Sequence, residues 1–185
     1  MKRIAIHALL AGASVLFGTQ VSAQTAPAEL RAALPSATLA GTAKLIYWGF
    51  DVYNASLWVT PGFKAAQYER HAFALELAYL RDFSNEDISR RSLDEMRRQT
   101  PITDAQARQW AQALREAFPN VQAGDRIAGV NRPGVGALFL TNGQPTGEIR
   151  DPGFARLFFG IWLAPDTSEP ALRRALLAQV AQTAP

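Results

Sequence analysis

The sequence predicts a single α+β domain in which an antiparallel β-sheet is covered on one face by helices. Three observations predict it: strand-like segments open the domain, two capped amphipathic helices follow, and a short meander leads into terminal helices. Strands joined by tight turns pair antiparallel, and helices that are grouped along the chain pack together against such a sheet. About 160 residues remain after an N-terminal targeting segment, enough for one hydrophobic core.

The first 23 residues have the layout of a cleavable secretory signal. Lys2 and Arg3 supply a positive start, residues 4–17 form a mostly apolar run, and Val21-Ser22-Ala23 offers small residues for cleavage. The apolar run is shorter than the roughly 20 residues that a membrane-spanning helix needs. We therefore expect cleavage after Ala23, a periplasmic protein, and no stable membrane anchor.

Composition excludes several classes of function. The chain has 19 basic and 16 acidic residues, and two of the basic ones lie in the signal. The remaining 17 basic and 16 acidic residues nearly balance, so the sequence does not predict a cationic surface that binds nucleic acid. The absence of cysteine excludes disulfides, thiolate catalysis and cysteine-bound metals. His71 is the only histidine after the signal, and no nicotinamide or flavin motif is present, so we expect neither a metal nor a cofactor.

Two adjacent strands open the domain, which we place at residues 39–182. Residues 24–38 are rich in Ala and Pro and predict a flexible leader before it. Residues 40–48 and 50–59 are rich in aromatic and β-branched side chains and meet at Gly49, which predicts a hairpin. The four tryptophans of the chain are assigned to the core.

A third strand and two helices follow. Apolar side chains alternate along residues 73–79, which predicts a strand with one apolar face that Arg81 continues. Ser84 and Thr103 are each followed three residues later by a side chain that completes a capping box, so a helix should begin at each. The first of these helices should end at Pro101.

The last third of the chain predicts a meander and two further helices. Asn142-Gly143 is a two-residue hairpin signal between strand-like segments, and Pro170 suits the first turn of a helix. The expected elements are strands at 126–130, 137–141 and 146–150 and helices at 151–161 and 168–180.

Short motifs from residue 39 to residue 180 resemble the bacterial chalcone isomerase-like family in order and spacing. They are GFDVYNA at 49–55, LELAYLRDF at 75–83, SLDEM at 92–96, GDR at 124–126, NG at 142–143, FFGIWL at 158–163 and ALRRALL at 171–177. The resemblance implies an open-faced β-sandwich, a curved antiparallel sheet with a helical layer and a cleft between them. Plant enzymes of this fold close a flavanone ring, whereas other members bind fatty acids without catalysis, so the fold alone does not decide the activity.

The resemblance does not carry the plant enzyme's catalytic set over to this chain. The plant helix has a Tyr, a Lys three residues on and an Asn four further, and these positions hold Ile88, Arg91 and Glu95 here. Tyr53 matches a strand threonine, and Lys44 is the only cation near the position of the catalytic arginine. A hydrocarbon thus stands where a phenol would order a catalytic water, and no residue is assigned as catalytic.

Six side chains are candidate ligand contacts: Lys44, Tyr53, Tyr79, Arg81, Arg91 and Glu95. The planar guanidinium of Arg81 suits a carboxylate or a phenolate; the alternative is an ion pair with Asp82, Glu86 or Asp87. Arg91 and Glu95 are four residues apart on one helix, so an ordinary surface pair is the alternative for both. The two tyrosines either line a cleft or hydrogen-bond within the core.

The hypothesis that the sequence favours is a non-catalytic binder of a small hydrophobic or aromatic ligand, a fatty acid or an aromatic acid, between sheet and helices. One alternative is an isomerase, an intramolecular lyase acting on a chalcone- or polyphenol-like substrate by general acid–base chemistry. Another is a structural or interaction protein of the envelope, which would have a filled core and a large apolar surface patch. The sequence predicts no particular oligomeric state.

Overall fold

The computed structural model describes residues 26–182, so the expected signal and its cleavage site lie outside the described residues. Its strands are β1 Thr38–Tyr47, β2 Phe50–Val59, β3 Phe73–Tyr79, β4 Arg126–Arg132, β5 Gly136–Thr141 and β6 Gln144–Ile149. Its helices are α1 Ala28–Ala33, α2 Asn85–Gln99, α3 Asp104–Ala117, α4 Pro152–Leu163, α5 Pro170–Leu176 and α6 Ala178–Gln182. No helix in this part of the chain is long and apolar enough to cross a bilayer.

The six strands form one antiparallel sheet in which every strand pairs with its neighbour in sequence. Residues alternate between the two faces, so Phe73, Leu75 and Leu77 all point to one face and are buried there. Helices α2 to α5 cover that face: α2 packs on α3 and α4, α4 on β5, and α5 on β1. The predicted α+β architecture, an open antiparallel sheet with helices packed on one face, is confirmed.

Side-chain caps start the three long helices where the sequence predicts them. The Ser84 hydroxyl accepts from Asp87 N at 3.1 Å to begin α2, and the Thr103 hydroxyl accepts from Gln106 N at 3.2 Å to begin α3. The Asp151 carboxylate caps α4 by accepting from the two backbone N–H groups of residues 153 and 154. Each cap satisfies donors that the first helical turn leaves unpaired.

The described part of the leader differs from the flexible segment that composition predicts. It forms α1 and packs on the face of the sheet opposite to the other helices, where Leu30 is fully buried beside Trp58 and Leu140. The Arg126 guanidinium forms an ion pair with Glu29 at 3.0 Å, which fixes the helix further. An apolar residue at every fourth position, 26, 30 and 34, gives this Ala-rich stretch one buried stripe.

Two other differences concern the helices. The predicted helix at 168–180 is broken at Leu177, whose ψ of 10° separates α5 from α6. A short 3-10 segment at Ala65–Arg70, which the sequence did not predict, joins β2 to β3. The remaining element ends lie within about two residues of the prediction, which is the usual uncertainty of helix and strand boundaries.

Candidate ligand-binding pocket

A pocket of about 620 Å³ lies between the sheet and the helical layer. Its volume falls within the roughly 300–1,000 Å³ of small-molecule sites. Strands β1 to β4, helices α2 and α4, and the loop before α5 all contribute side chains to it. Leu77, Phe118, Ile127 and Phe158 are among the buried apolar side chains of its wall, and Ser92 and Glu95 are buried polar ones.

The register of β2 and β3 places two tyrosines side by side in this pocket. Tyr53 and Tyr79 are directly opposite each other across the two strands, and their ring centroids are 6.1 Å apart. Both side chains are at least nine-tenths buried. The indole Nε1 of Trp162 donates to the Tyr53 hydroxyl oxygen at 2.9 Å. Within residues 26–182, neither phenol donates a hydrogen bond, so both O–H groups are available to a ligand.

Burial makes ionisation of these two phenols still less favourable than for an exposed tyrosine. Loss of solvent contact raises the pKa of Tyr53 and of Tyr79 above the usual value of 10, because the charged phenolate is poorly solvated there. Both groups are therefore neutral across the physiological pH range. They act as hydrogen-bond donors and not as bases.

Arg81 lies at the mouth of the pocket. Its guanidinium carbon is 4.6 Å from the centroid of the Phe50 ring, a cation–π contact that holds the side chain over the opening. Each of the neighbouring acids Asp82, Glu86 and Asp87 bonds to another group. Across the described residues no acid pairs with Arg81, so the ion-pair alternative does not hold for it.

Arg91 and Glu95 both line the pocket and also form the ion pair that their spacing predicts. Arg91 Nη2 is 2.7 Å from Glu95 Oε1, while Glu95 Oε2 accepts from the Ser168 hydroxyl at 2.9 Å and lies 3.4 Å from Arg98 Nε. The Glu95 side chain is 9% exposed, and these partners occupy both of its oxygens. It ties α2 to the loop before α5, whereas Arg91 extends over the Tyr47 ring at 5.6 Å.

Lys44 is the one candidate that the structure does not bring to the pocket. It is opposite Asn54 in the β1–β2 register, on the face away from Tyr53, and its ammonium group forms a 2.7 Å ion pair with Asp51. Its neighbour Leu45 lines the pocket instead. Successive strand residues point to opposite faces, so an error of one residue in aligning β1 with the family exchanges Lys44 and Leu45 between the pocket and the other face.

Sequence reasoning missed the aromatic rim and one carboxylate of the pocket. Trp48, assigned to the core, is 85% exposed at the β1–β2 turn. Trp48 and Gly49 have φ values of 52° and 79°, as in two-residue hairpin turns. Had the sequence analysis assigned both residues to the turn, it would have predicted an exposed indole. Glu169, at the start of α5, also lines the pocket, and no ion pair to it forms within the described part of the chain.

Comparison with known proteins agrees with this architecture. The model of the chalcone isomerase-like family matches residues 18–178. No curated protein sequence matches the chain. Among solved structures, a fatty-acid binding protein of Arabidopsis thaliana superposes with a TM-score of 0.62 at 11% identity, over 80% of this chain and 89% of that one, which is a likeness of fold. Because the family match spans most of the sequence, the chain belongs to the chalcone isomerase-like family.

Proposed function

We propose that this protein is exported to the periplasm and there binds, without turning it over, one small amphipathic acid, either a fatty acid or an aromatic acid. The observation that carries the proposal is a largely apolar pocket whose mouth holds an arginine that pairs with no acid among residues 26–182. Such a pocket is complementary to a molecule with a hydrocarbon body and one anionic end.

The hydrocarbon body would lie against the buried apolar wall, where each Å² removed from water contributes about 25 cal/mol. The acid group would lie at the mouth, where the fork of Arg81 matches the two oxygens of a carboxylate. The unpaired hydroxyl of Tyr79, on the strand that leads to Arg81, supplies a further neutral donor. The similar Arabidopsis structure, described as a fatty-acid binding protein, supports this ligand class.

Titration of dodecanoate into the protein tests the proposal, with dodecanol as the uncharged control. We expect dodecanoate to bind and an Arg81→Gln variant to bind about 10- to 100-fold more weakly, because a hydrogen bond to a charged group contributes about 1.5–3 kcal/mol. Arg150→Gln, which removes an exposed arginine outside the pocket, should bind as the parent does. Equal affinity for dodecanol, or no loss in Arg81→Gln, would contradict the proposed role of the charge.

Export is tested separately. Sequencing the N-terminus of protein recovered from the periplasmic fraction should find Gln24 as the first residue, as the small residues before it predict. Recovery of the intact chain from the cytoplasm would contradict export and would leave the binding proposal unaffected.

One observation favours a second candidate, the isomerase. Glu169 is a pocket carboxylate without an ion pair among residues 26–182, and its charge adds to the burial that raises the pKa of Tyr53. It is the group that would have to serve as general base, since Glu95 and the third pocket carboxylate, Asp87, both have side-chain partners and Ile88 cannot order a water. Loss of chalcone absorbance with the parent but not with Glu169→Gln would establish this reaction, whereas an unchanged spectrum with the parent would exclude it.

A further inference from the structure

We propose that the tip of the β1–β2 hairpin inserts into the interfacial region of a phospholipid bilayer and holds the pocket mouth against it. The tip is defined here as Ile46, Tyr47, Trp48 and Phe50. The proposal rests on the proposed function only for its purpose, the exchange of an apolar acid with the membrane. The docking itself stands on the structure of the tip.

The tip gathers the exposed large hydrophobic side chains of residues 26–182 in one place. Their exposed fractions are 56% for Ile46, 49% for Tyr47, 85% for Trp48 and 59% for Phe50. Scattered single apolar residues are normal on a protein surface, but a contiguous group marks a contact surface. Trp48, the most exposed of the four, lies in the two-residue turn with a positive φ of 52°.

The chemistry of the tip fits a bilayer interface better than a flat protein partner. Tyrosine and tryptophan are the residues enriched at membrane interfaces, because their rings are apolar and their polar atoms reach the headgroups. A two-residue turn is convex, so it suits penetration between lipids, whereas a stable protein complex buries about 800 Å² on each partner over a broad surface.

Two arginines form cation–π contacts with aromatic rings of the tip. Arg81 lies over Phe50 at 4.6 Å and Arg91 lies over Tyr47 at 5.6 Å, so two of the three rings of the tip have a guanidinium beside them. Arginine side chains of this kind keep their stems along apolar groups while the charge stays at the level of the phosphates. The unpaired charge of Arg81 is complementary to an anionic lipid, while Arg91 shares its charge with Glu95.

The tip is continuous with the pocket. Tyr47, Trp48 and Phe50 line its mouth together with Arg81. Insertion of the tip would therefore place the mouth on the membrane, and an apolar acid would pass between bilayer and pocket without crossing water. Arg81 would meet the acid group at the depth where lipid headgroups lie.

The test uses the protein with vesicles of phosphatidylethanolamine and phosphatidylglycerol at three to one. Trp48 is the exposed tryptophan, whereas Trp58, Trp110 and Trp162 are buried, so acrylamide quenching reports on the tip. We expect the protein to co-sediment with the vesicles, its emission to shift to the blue and its quenching to fall. Binding should weaken in 0.5 M salt, since salt screens the arginine–phosphate attraction.

Two variants separate docking from folding and from ligand binding. Ile46→Gln removes apolar surface from the tip outside the pocket lining, and we expect roughly three- to tenfold weaker partitioning with unchanged dodecanoate affinity in solution. Trp48→Gln should lose more than tenfold on vesicles. Val135→Gln, in the β4–β5 turn at the opposite end of the sheet, should partition as the parent does. Unchanged melting temperatures would show that all three are folded.

The outcomes are distinguishable. A parent protein that binds dodecanoate but stays in the supernatant with vesicles overturns the docking proposal and leaves the proposed function intact. A parent protein that binds vesicles but not dodecanoate overturns the proposed function and leaves the docking proposal intact. Equal partitioning of Ile46→Gln, Trp48→Gln and the parent overturns docking through the tip. Concentration-dependent protection of Trp48 in the absence of vesicles would identify a second copy of the chain as the occupant, which also overturns it.

Discussion

Residue-scale chemistry in the pocket depends on which polar groups lack protein partners. Glu95 and Tyr53 are held by neighbouring side chains, whereas the Tyr79 hydroxyl and the Arg81 guanidinium have no hydrogen-bond partner within the described residues. The Tyr79 side chain is buried, and a buried polar group without a partner costs stability unless a ligand satisfies it, whereas Arg81 is exposed at the mouth and can pair with an incoming anion. These two groups are therefore the strongest determinants of what the pocket accepts.

Replacing each tyrosine by phenylalanine should separate a binding role from a structural one. Tyr79→Phe removes a hydroxyl with no protein partner, so we expect about tenfold weaker dodecanoate binding and unchanged stability. Tyr53→Phe leaves the buried Trp162 Nε1 without its acceptor and should lower the free energy of unfolding by about 1–3 kcal/mol. Titration and urea unfolding of both variants measure this. The reverse pattern would assign the binding role to Tyr53.

At the scale of elements, single side chains connect helices that are distant in the sequence. Asp151 caps α4 through Oδ1 and accepts from Trp110 Nε1 of α3 through Oδ2 at 2.9 Å. We expect Asp151→Ala to cost about 2–4 kcal/mol, because it removes the cap and leaves a buried indole N–H unpaired.

Asp151→Asn is the matched control for that prediction. Its amide oxygen can still cap the helix, but its NH2 group cannot accept from Trp110 Nε1, so urea unfolding should show a smaller loss than for Asp151→Ala, which removes both interactions. Equal losses in the two variants would show that the bond from Trp110, and not the helix cap, carries the effect.

The contact of α1 with the sheet should depend on pH through Glu76. Burial raises the pKa of this carboxyl above its usual 4.5, even though Arg126 lies 3.6 Å away, and Glu29 adds to the rise. The folded state thus binds the Glu76 proton more tightly than the unfolded state, so the contribution of this group to stability is fully present below pH 4.5 and is lost as pH rises through the folded pKa.

Glu76→Gln, which cannot ionise, should therefore be more stable than the parent at pH 7 and should match it more closely near pH 4. Urea unfolding of both proteins across this range measures the difference. A parent that is more stable than the variant at pH 7 would show that the Arg126 ion pair outweighs the cost of burial.

At the scale of the whole molecule, α1 adds a partial third layer to the two-layer sandwich. Leu30 is fully buried on the face of the sheet that the other helices leave uncovered. Leu30→Ala should lower the free energy of unfolding by about 2–5 kcal/mol, as for other buried leucines. Ala33→Ser, at an exposed position of the same helix, should change it little. A negligible effect of Leu30→Ala would show that the leader is loose in solution.

Much of the fold could be predicted because its signals are local. The capping boxes at Ser84 and Thr103 each involve residues three positions apart, and the alternation along β3 needs only seven. The pocket could be predicted in part: Tyr53, Tyr79, Arg81, Arg91 and Glu95 all line it. They were predicted as ligand contacts because they are polar residues on otherwise apolar faces or because they match positions of the family's site.

The sequence by itself determined the order and type of the main elements, the family, and which polar side chains could face a cleft. Only the tertiary structure decided that Lys44 points away from the pocket, that Trp48 is exposed, that α1 is packed on the sheet and that Arg81 pairs with no acid in the described part of the chain. The physical reason is that periodicity and capping are set by neighbours along the chain. The face of the sheet to which a side chain points, its burial and its ion pairs are set by strand register and by contacts between residues far apart in sequence.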